Sequence, residues 1–229
     1  MKAKLIKKET EAKNTVSFYF KPEKNVSFLP GQYYYFTLPK LEYPDSRGAT
    51  RHFTIASSPT QTDTIQLTTR IREESGYKKT LDSLPIGSVV EIDGPNGTLI
   101  LDESEKEYSH VLIAGGIGIT PFRSIIKYNV DKGLKIPMYL IYSNNNPEFV
   151  YKKELDQIAK ANNNIKIAYF DSSKSGHLDS VKLASLLSTY DTLHTTFWLV
   201  GPPPFIDAVE VALDKLKITN IRSEKFTGY

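Results

Sequence analysis

The residues Gly115-Gly116-Ile117-Gly118-Ile119-Thr120-Pro121-Phe122 have the types and spacing to bind a phosphate. They follow an apolar run, His110-Val111-Leu112-Ile113-Ala114, and precede a helical pattern with Phe122, Ile125 and Ile126 on one side. In a strand, glycine-rich turn and helix start of this kind, backbone N–H groups meet an anion. The glycines let the backbone approach a ligand where a Cβ would clash. Thr120 is expected to cap the helix, with Pro121 at its first position, where the missing N–H has no helical partner to lose. Other chemistries lack their residues. The chain has no cysteine, so disulfides, a thiolate nucleophile and cysteine-held zinc or iron–sulfur centres are excluded. His52, His110, His177 and His194 are scattered without metal-ligand spacing. No carboxylate pair is suited to acid–base hydrolysis.

Two halves with different periods must position that turn. Residues 15–20, 32–38, 65–71 and 89–93 alternate with period two, separated by turn signals at Pro30-Gly31, Pro39, Gly87 and Gly94-Pro95-Asn96-Gly97. Short strands at this spacing predict an antiparallel barrel or sandwich. One short helix, near 76–84, turns Leu81 and Leu84 inward. Further on, apolar runs at 110–114, 138–142, 165–170, 197–200 and 221–226 alternate with helical patterns near 121–130, 148–161, 180–187 and 205–216. That alternation predicts a parallel sheet with covering helices. The charged stretch Asp102-Glu103-Ser104-Glu105-Lys106-Glu107 reads as the linker, which gives domains 1–102 and 108–229. The 229 residues, 40% hydrophobic and 24% charged, suffice for one large or two modest domains of about 100–200 residues each. A net charge of +3 is too small to argue for nucleic acid. No apolar run approaches the roughly 20 residues of a membrane span, and the basic N-terminus lacks the apolar core of a signal peptide. A cytoplasmic protein is expected.

Four segments stand in order along the chain: Arg51-His52-Phe53-Thr54-Ile55-Ala56-Ser57-Ser58-Pro59, then Gly94-Pro95-Asn96-Gly97, then the turn at Gly115, then Val200-Gly201-Pro202-Pro203-Pro204-Phe205. The last is followed by Ser223-Glu224-Lys225-Phe226-Thr227-Gly228-Tyr229 at the end of the sequence. Together they resemble the ferredoxin–NADP reductase family, with its Arg-x-Tyr-Ser, Gly-Gly-x-Gly-x-x-Pro, Cys-Gly-Pro-Pro and acidic-x-aromatic patterns, over essentially the whole chain.

The resemblance implies an FAD-binding barrel, an NAD(P)-binding α/β domain and a flavin oxidoreductase without an iron–sulfur domain. Hydride would pass from nicotinamide C4 to flavin N5, and electrons would leave singly to ferredoxin, flavodoxin, an oxygenase component or a small oxidant. The alternatives are a flavin-binding electron-transfer subunit of a larger redox complex and a flavin- or nucleotide-binding module without turnover. Arg51, His52, Phe53 and Thr54 would form the flavin segment. Arg51 would pair with the FAD pyrophosphate, Phe53 would pack beside the flavin where the family has Tyr, and the Thr54 hydroxyl would serve flavin N5. Thr69 and Ile71 would line the flavin through their backbone. Gly76, Tyr77 and Lys78 open the short helix whose amides face the pyrophosphate. Lys78 stands where the family has Ser, and either adds a charge contact or is a solvated surface side chain.

Gly115, Gly116, Gly118 and Thr120 would meet the dinucleotide, and Gly201, Pro202 and Pro203 would cap the nicotinamide side. Val200 replaces the family's Cys. Glu224 would organise polar contacts or protons near the nicotinamide. Either Phe226 or Tyr229 would be the ring that covers the flavin. After residue 170, Asp171 suits ribose hydroxyls, whereas Ser172, Ser173 and Lys174 suit a 2′-phosphate, so the choice between NADH and NADPH stays open, with a lean to NADH. Lys2, Lys4, Lys7 and Lys8 form either a docking face for an acidic partner or a solvated face.

Overall fold

The computed structural model describes residues 1–106 and 108–226. Apolar–polar alternation builds β1 (Lys2–Ala12), β2 (Thr15–Pro22), β3 (Tyr33–Thr37), β4 (Thr50–Thr54), β5 (Ile65–Arg70) and β6 (Val89–Asn96). They form an antiparallel sheet in the order β4-β3-β6-β1-β2-β5. Beyond β4 the two edges meet: the Ala56 N–H donates to the Gln66 carbonyl at 2.7 Å, and the Gln66 N–H donates to the Ser57 hydroxyl at 3.2 Å. The sheet thereby closes into a barrel, which removes its exposed edges. Leu5, Phe18, Phe20, Phe36, Ile65 and Leu67 fill the interior. Each such side chain, fully buried, contributes about 1.5–3 kcal/mol.

The lysine-rich start of the sequence is the middle strand β1. Its alternation sends Ala3 and Leu5 inward and leaves Lys2 and Lys4 exposed. Lys7 pairs with Glu9 at 2.7 Å, and Lys8 donates to the Asp82 carbonyl. Half of the four lysines are thus engaged within the barrel, which weakens the docking alternative.

Helix α1 (Gly76–Ser83) starts where the Ser75 hydroxyl accepts from the Lys78 N–H at 3.3 Å. It stops at Leu84, because the following Pro85 disfavours helical backbone before it. It buries Tyr77, Lys78, Thr80 and Leu81.

The second sheet is parallel. It consists of β7 (Ser109–Gly115), β8 (Met138–Asn144), β9 (Ile165–Asp171), β10 (Thr195–Gly201) and β11 (Ile221–Lys225), ordered β11-β10-β7-β8-β9. The connections carry α2 (Ile119–Asp131), α3 (Lys152–Ala161), the short α4 (Ser172–Ser175), α5 (Ser180–Leu187) and α6 (Pro203–Lys215). Strands β8 and β10 are buried at every position, as expected for sheet strands covered on both faces.

The chain divides into two compact units: Met1–Leu101 with Arg123–Asp131, and Asp102–Phe122 with the chain from Lys132 onward. Residues 123–131 of α2 therefore count with the barrel. There the buried Arg123 guanidinium donates to the Ala56 carbonyl and, at 2.8 Å, to Gln66 Oε1, and the Ser124 hydroxyl donates to the Ser57 carbonyl at 2.7 Å. A buried charge needs such partners, and Gln66, Ser17 and Thr68 extend the network across β2 and β5.

Candidate functional site

In the barrel unit, β4 turns Arg51 and Phe53 inward and His52 outward. The Phe53 ring packs 6.0 Å from Phe36 and 5.9 Å from Tyr77, inside the barrel core. His52 stands on the opposite face, 5.1 Å from Tyr33 and 5.8 Å from Tyr35, so strand periodicity separates it from its two sequence neighbours. Thr54 ends the strand and is buried.

Around Arg51 lies an anion cradle. Its Nη1 donates to the carbonyls of Arg47, Gly48 and Thr50 at 2.7–2.9 Å, and its Nη2 donates to Asp45 Oδ1 at 2.5 Å. The guanidinium lies 5.2 Å from the Tyr77 ring centroid. The other Asp45 oxygen accepts the Tyr77 N–H, in the first turn of α1, at 2.9 Å. Lys78 is only 3% exposed, which removes the alternative of a solvated surface side chain. Burial pulls its ammonium down to about 8, and the charges of Arg72, Arg47 and Arg51 act in the same direction against Glu74.

Positive charge is concentrated here, with the Arg51 and Lys78 side chains buried. The Asp45 carboxylate supplies one negative charge to it. The cradle therefore fits a diphosphate: a guanidinium fork, a helix N-terminus and a buried ammonium. Thr69 adds a buried hydroxyl with no hydrogen-bond partner on β5. The Ile71 N–H is taken by the Asn14 carbonyl at 2.7 Å. Gly76 is required by the protein itself, since a Cβ there would lie 2.1 Å from the Pro44 carbonyl oxygen.

In the second unit the strand order reverses between β7 and β10, and both strands end in glycine, Gly115 and Gly201. Such a switch point, at the carboxyl ends of parallel strands, is where ligands bind in open α/β sheets. Gly116 adopts φ +55° and begins a 3-10 turn, Gly116–Gly118, that leads into α2. Thr120 is therefore not the helix cap. The helical run has already begun after the extended Gly115, and the Thr120 hydroxyl donates back to the Ile117 carbonyl at 3.2 Å from inside the helix. Pro121 is likewise the third residue of α2, not the first.

The glycines also divide by role. A Cβ at Gly118 would lie 2.3 Å from the Val200 carbonyl oxygen, and one at Gly115 2.5 Å from the Phe205 ring. Both are needed for protein packing. Gly116 is half-buried and left-handed, a conformation that glycine adopts without strain.

Pro202 caps α6, and Pro203 is its first residue, so the proline run is a helix start beside Gly201. The Phe226 N–H donates to the Gly201 carbonyl at 2.9 Å, which holds this buried ring next to the end of β10. Glu224 lies in register with Val200, and burial pushes its carboxyl above the usual carboxylate range. The structure thus gathers Gly115, Gly116, Gly201, Pro202, Glu224 and Phe226 at the ends of three neighbouring strands. Tyr229 lies outside the described residues.

At the far end of the same edge, Asp171 closes β9. Its Oδ1 accepts the Ser173 N–H at 3.0 Å and the Ser173 hydroxyl at 2.6 Å. The Ser172 hydroxyl donates to the Asn144 carbonyl at 3.1 Å. Asp171 Oδ2 is buried without a hydrogen-bond partner, 3.9 Å from Lys174 Nζ. Both serine hydroxyls are engaged by protein, and an acceptor is left over.

Residue type and spacing do not single out Asp45, whose sequence signal is the turn Asp45-Ser46-Arg47-Gly48, or Arg123, which has the pattern of an exposed helix arginine. Among the described residues no group of His, Asp or Glu is placed to hold a metal ion, and no helix is long and apolar enough to cross a membrane.

A barrel with an anion cradle, followed by a parallel sheet with a glycine turn at its switch point, defines a two-domain flavin- and nucleotide-binding oxidoreductase. Comparison with known proteins agrees: the oxidoreductase FAD-binding domain family matches residues 2–100, and the oxidoreductase NAD-binding domain family matches residues 112–211. A flavohemoprotein of Oceanobacillus iheyensis is 30% identical over 94% of the chain and 55% of its own length. The anthranilate 1,2-dioxygenase electron transfer component of Acinetobacter baylyi is 28% identical over 89% of the chain and 59% of its own length. The chain thus spans little more than half the length of these curated relatives. The flavohem-like FAD/NAD binding domain of a Vibrio cholerae O1 biovar El Tor nitric oxide dioxygenase shares the fold, with a TM-score of 0.82, 20% identity and 98% of both chains covered. The chain belongs to the ferredoxin reductase-like family of FAD- and NAD-binding oxidoreductases.

Proposed function

We propose that this chain is an NAD(P)H-dependent flavin reductase that hands electrons to a separate acceptor, with an oxygenase component, ferredoxin or flavodoxin as the partner class. The observation that carries the reading is the gathering of Gly116, Gly201, Pro202, Glu224 and Phe226 at the carboxyl ends of β7, β10 and β11, in a chain that also holds a diphosphate-type cradle. The name of the Acinetobacter baylyi relative supports the oxygenase component as acceptor. Bound FAD would supply the chemistry by taking up a hydride from the nicotinamide and releasing electrons one at a time.

The chain's own residues bind and orient. Arg51, the α1 amides and Lys78 hold the flavin diphosphate, and the Thr54 hydroxyl is the donor assigned to flavin N5. The Gly116 backbone holds the nicotinamide dinucleotide. Glu224, raised by burial, keeps a proton more readily than an exposed carboxyl and can hydrogen-bond the nicotinamide amide in either state. Phe226 is the ring assigned to cover the flavin. With valine at position 200, no thiol stands before Gly201, and rate enhancement rests on positioning. The leftover acceptor on Asp171 supports NADH over NADPH, since it suits ribose hydroxyls and repels a 2′-phosphate.

The test is anaerobic rapid-mixing absorbance of the FAD-loaded protein with NADH and with NADPH. Fast bleaching of the oxidised flavin band, faster with NADH, is expected. A protein that takes up no FAD overturns the reading, and a flavin that neither nucleotide bleaches overturns the reductase activity.

A further inference from the structure

Asp45 has no part in the scheme above, yet it occupies the centre of the cradle. Its side chain is 7% exposed and that of Arg51 9%. Its two oxygens collect four donors: the Arg51 guanidinium at 2.5 Å, the Tyr77 N–H at 2.9 Å, the Arg47 N–H at 3.0 Å and the Ser75 hydroxyl at 3.4 Å. Burial pushes its carboxyl up, but the Tyr77 and Arg47 amides and the Arg51 charge outweigh it and hold Asp45 below the usual carboxylate range. Asp45 is therefore an anion, and it sits on the donors a diphosphate would use.

The loop that carries it is exposed at Pro44, Ser46, Arg47 and Gly48, and Gly48 has φ +75° with open space around it. The loop backbone is tied by the Gly48 N–H on the Asp45 carbonyl at 3.0 Å and by Arg51 on the Arg47 and Gly48 carbonyls, so release of the carboxylate falls to its own side-chain torsions. A guanidinium fork and one helix amide satisfy a single anion, and a diphosphate beside a retained carboxylate would face like-charge repulsion in a partly dried site.

Resting on the FAD reading above, we propose that Asp45 is a built-in competitor of the flavin diphosphate. It holds the cradle in shape when no flavin is bound, it must release Arg51 and the Tyr77 amide for FAD to seat, and it thereby sets flavin affinity.

The test compares the apo forms of the wild-type protein, Asp45→Asn and Asp45→Ser in titrations with FAD and with riboflavin, followed by flavin fluorescence, and in melting with inorganic pyrophosphate. Both variants are neutral, and Asp45→Asn keeps a side-chain oxygen that can accept from the Tyr77 N–H, so either serves if the other does not fold. The expected result is FAD binding at least tenfold tighter than wild type, riboflavin binding unchanged because it carries no phosphate, and a larger pyrophosphate-induced rise in Tm. FAD binding that is unchanged or weaker in a folded neutral variant, with the wild type still binding FAD, overturns the role of Asp45 and leaves the flavin site standing. FAD and riboflavin ignored by wild type and variants alike overturn both.

Discussion

The two units of this molecule, each proposed to hold a phosphorylated nucleotide, are built around their candidate sites in opposite ways. The barrel uses side chains: Arg51 and Asp45 are buried as an ion pair, and Lys78, in the first turn of α1, is buried as well. The α/β unit uses backbone: Gly115, Gly118 and Gly201 let strand ends and a helix start approach so closely that side chains would collide. A site made of charge is sensitive to pH and to the loss of a partner. A site made of close backbone contact is sensitive to volume and indifferent to pH.

The sharpest way to break that contrast is Arg51→Ala. It leaves Asp45 buried without its cation and should cost about 3–5 kcal/mol, read by urea unfolding, with FAD lost on gel filtration. A loss under 1 kcal/mol would mean that the cradle is hydrated and the contrast is false.

Next is Lys78→Met. The folded state holds the Lys78 proton more weakly than the unfolded chain, so it binds fewer protons between pH 8 and 10.5. Stability of the apoprotein should therefore rise with pH across that window, by up to about 3 kcal/mol, and the rise should vanish in the variant. The comparison needs unfolding curves at pH 7 and pH 10 for both proteins.

On the other side, Gly118→Ala drives a Cβ toward the Val200 carbonyl and should cost about 3 kcal/mol at any pH, lowering Tm by roughly 6–12 °C. A pH-dependent loss would contradict the backbone account. The smallest effect is expected for Asp171→Asn, which should shift the NADH-to-NADPH ratio of flavin bleaching rates about tenfold toward NADPH, or about 1.4 kcal/mol.

Much of the fold was legible because its periods are clean. The strand at 110–114 and the helix at 180–187 emerge where apolar repeats predict them. The start of α2 was misread because Thr120-Pro121 is a strong local capping signal, which the 3-10 turn at Gly116 pre-empts. Strand β1 has the sequence pattern of a charged N-terminal segment. Lys2, Lys4, Lys7 and Lys8 mask the inward Ala3 and Leu5, and short apolar side chains carry a weak signal between lysines. Arg51 and Phe53 were found through their motif. Their geometry was not, since alternation says that they share a face but not that Asp45 waits there.

By itself the sequence determined the class of each half, the glycine turn, the proline start of α6 and the absence of thiol chemistry, because these depend on residue type and local spacing. Only the tertiary structure decided that Lys78 is buried, that packing requires glycine at 115 and 118, that Phe226 is tied to Gly201, and that Asp45 neutralises Arg51. Most of these are contacts between segments distant in sequence, or a burial that such contacts impose; the Asp45–Arg51 pair spans six residues and depends on the turn between them. Local propensity carries no information about which distant charge or carbonyl will come to lie within 3 Å of a side chain.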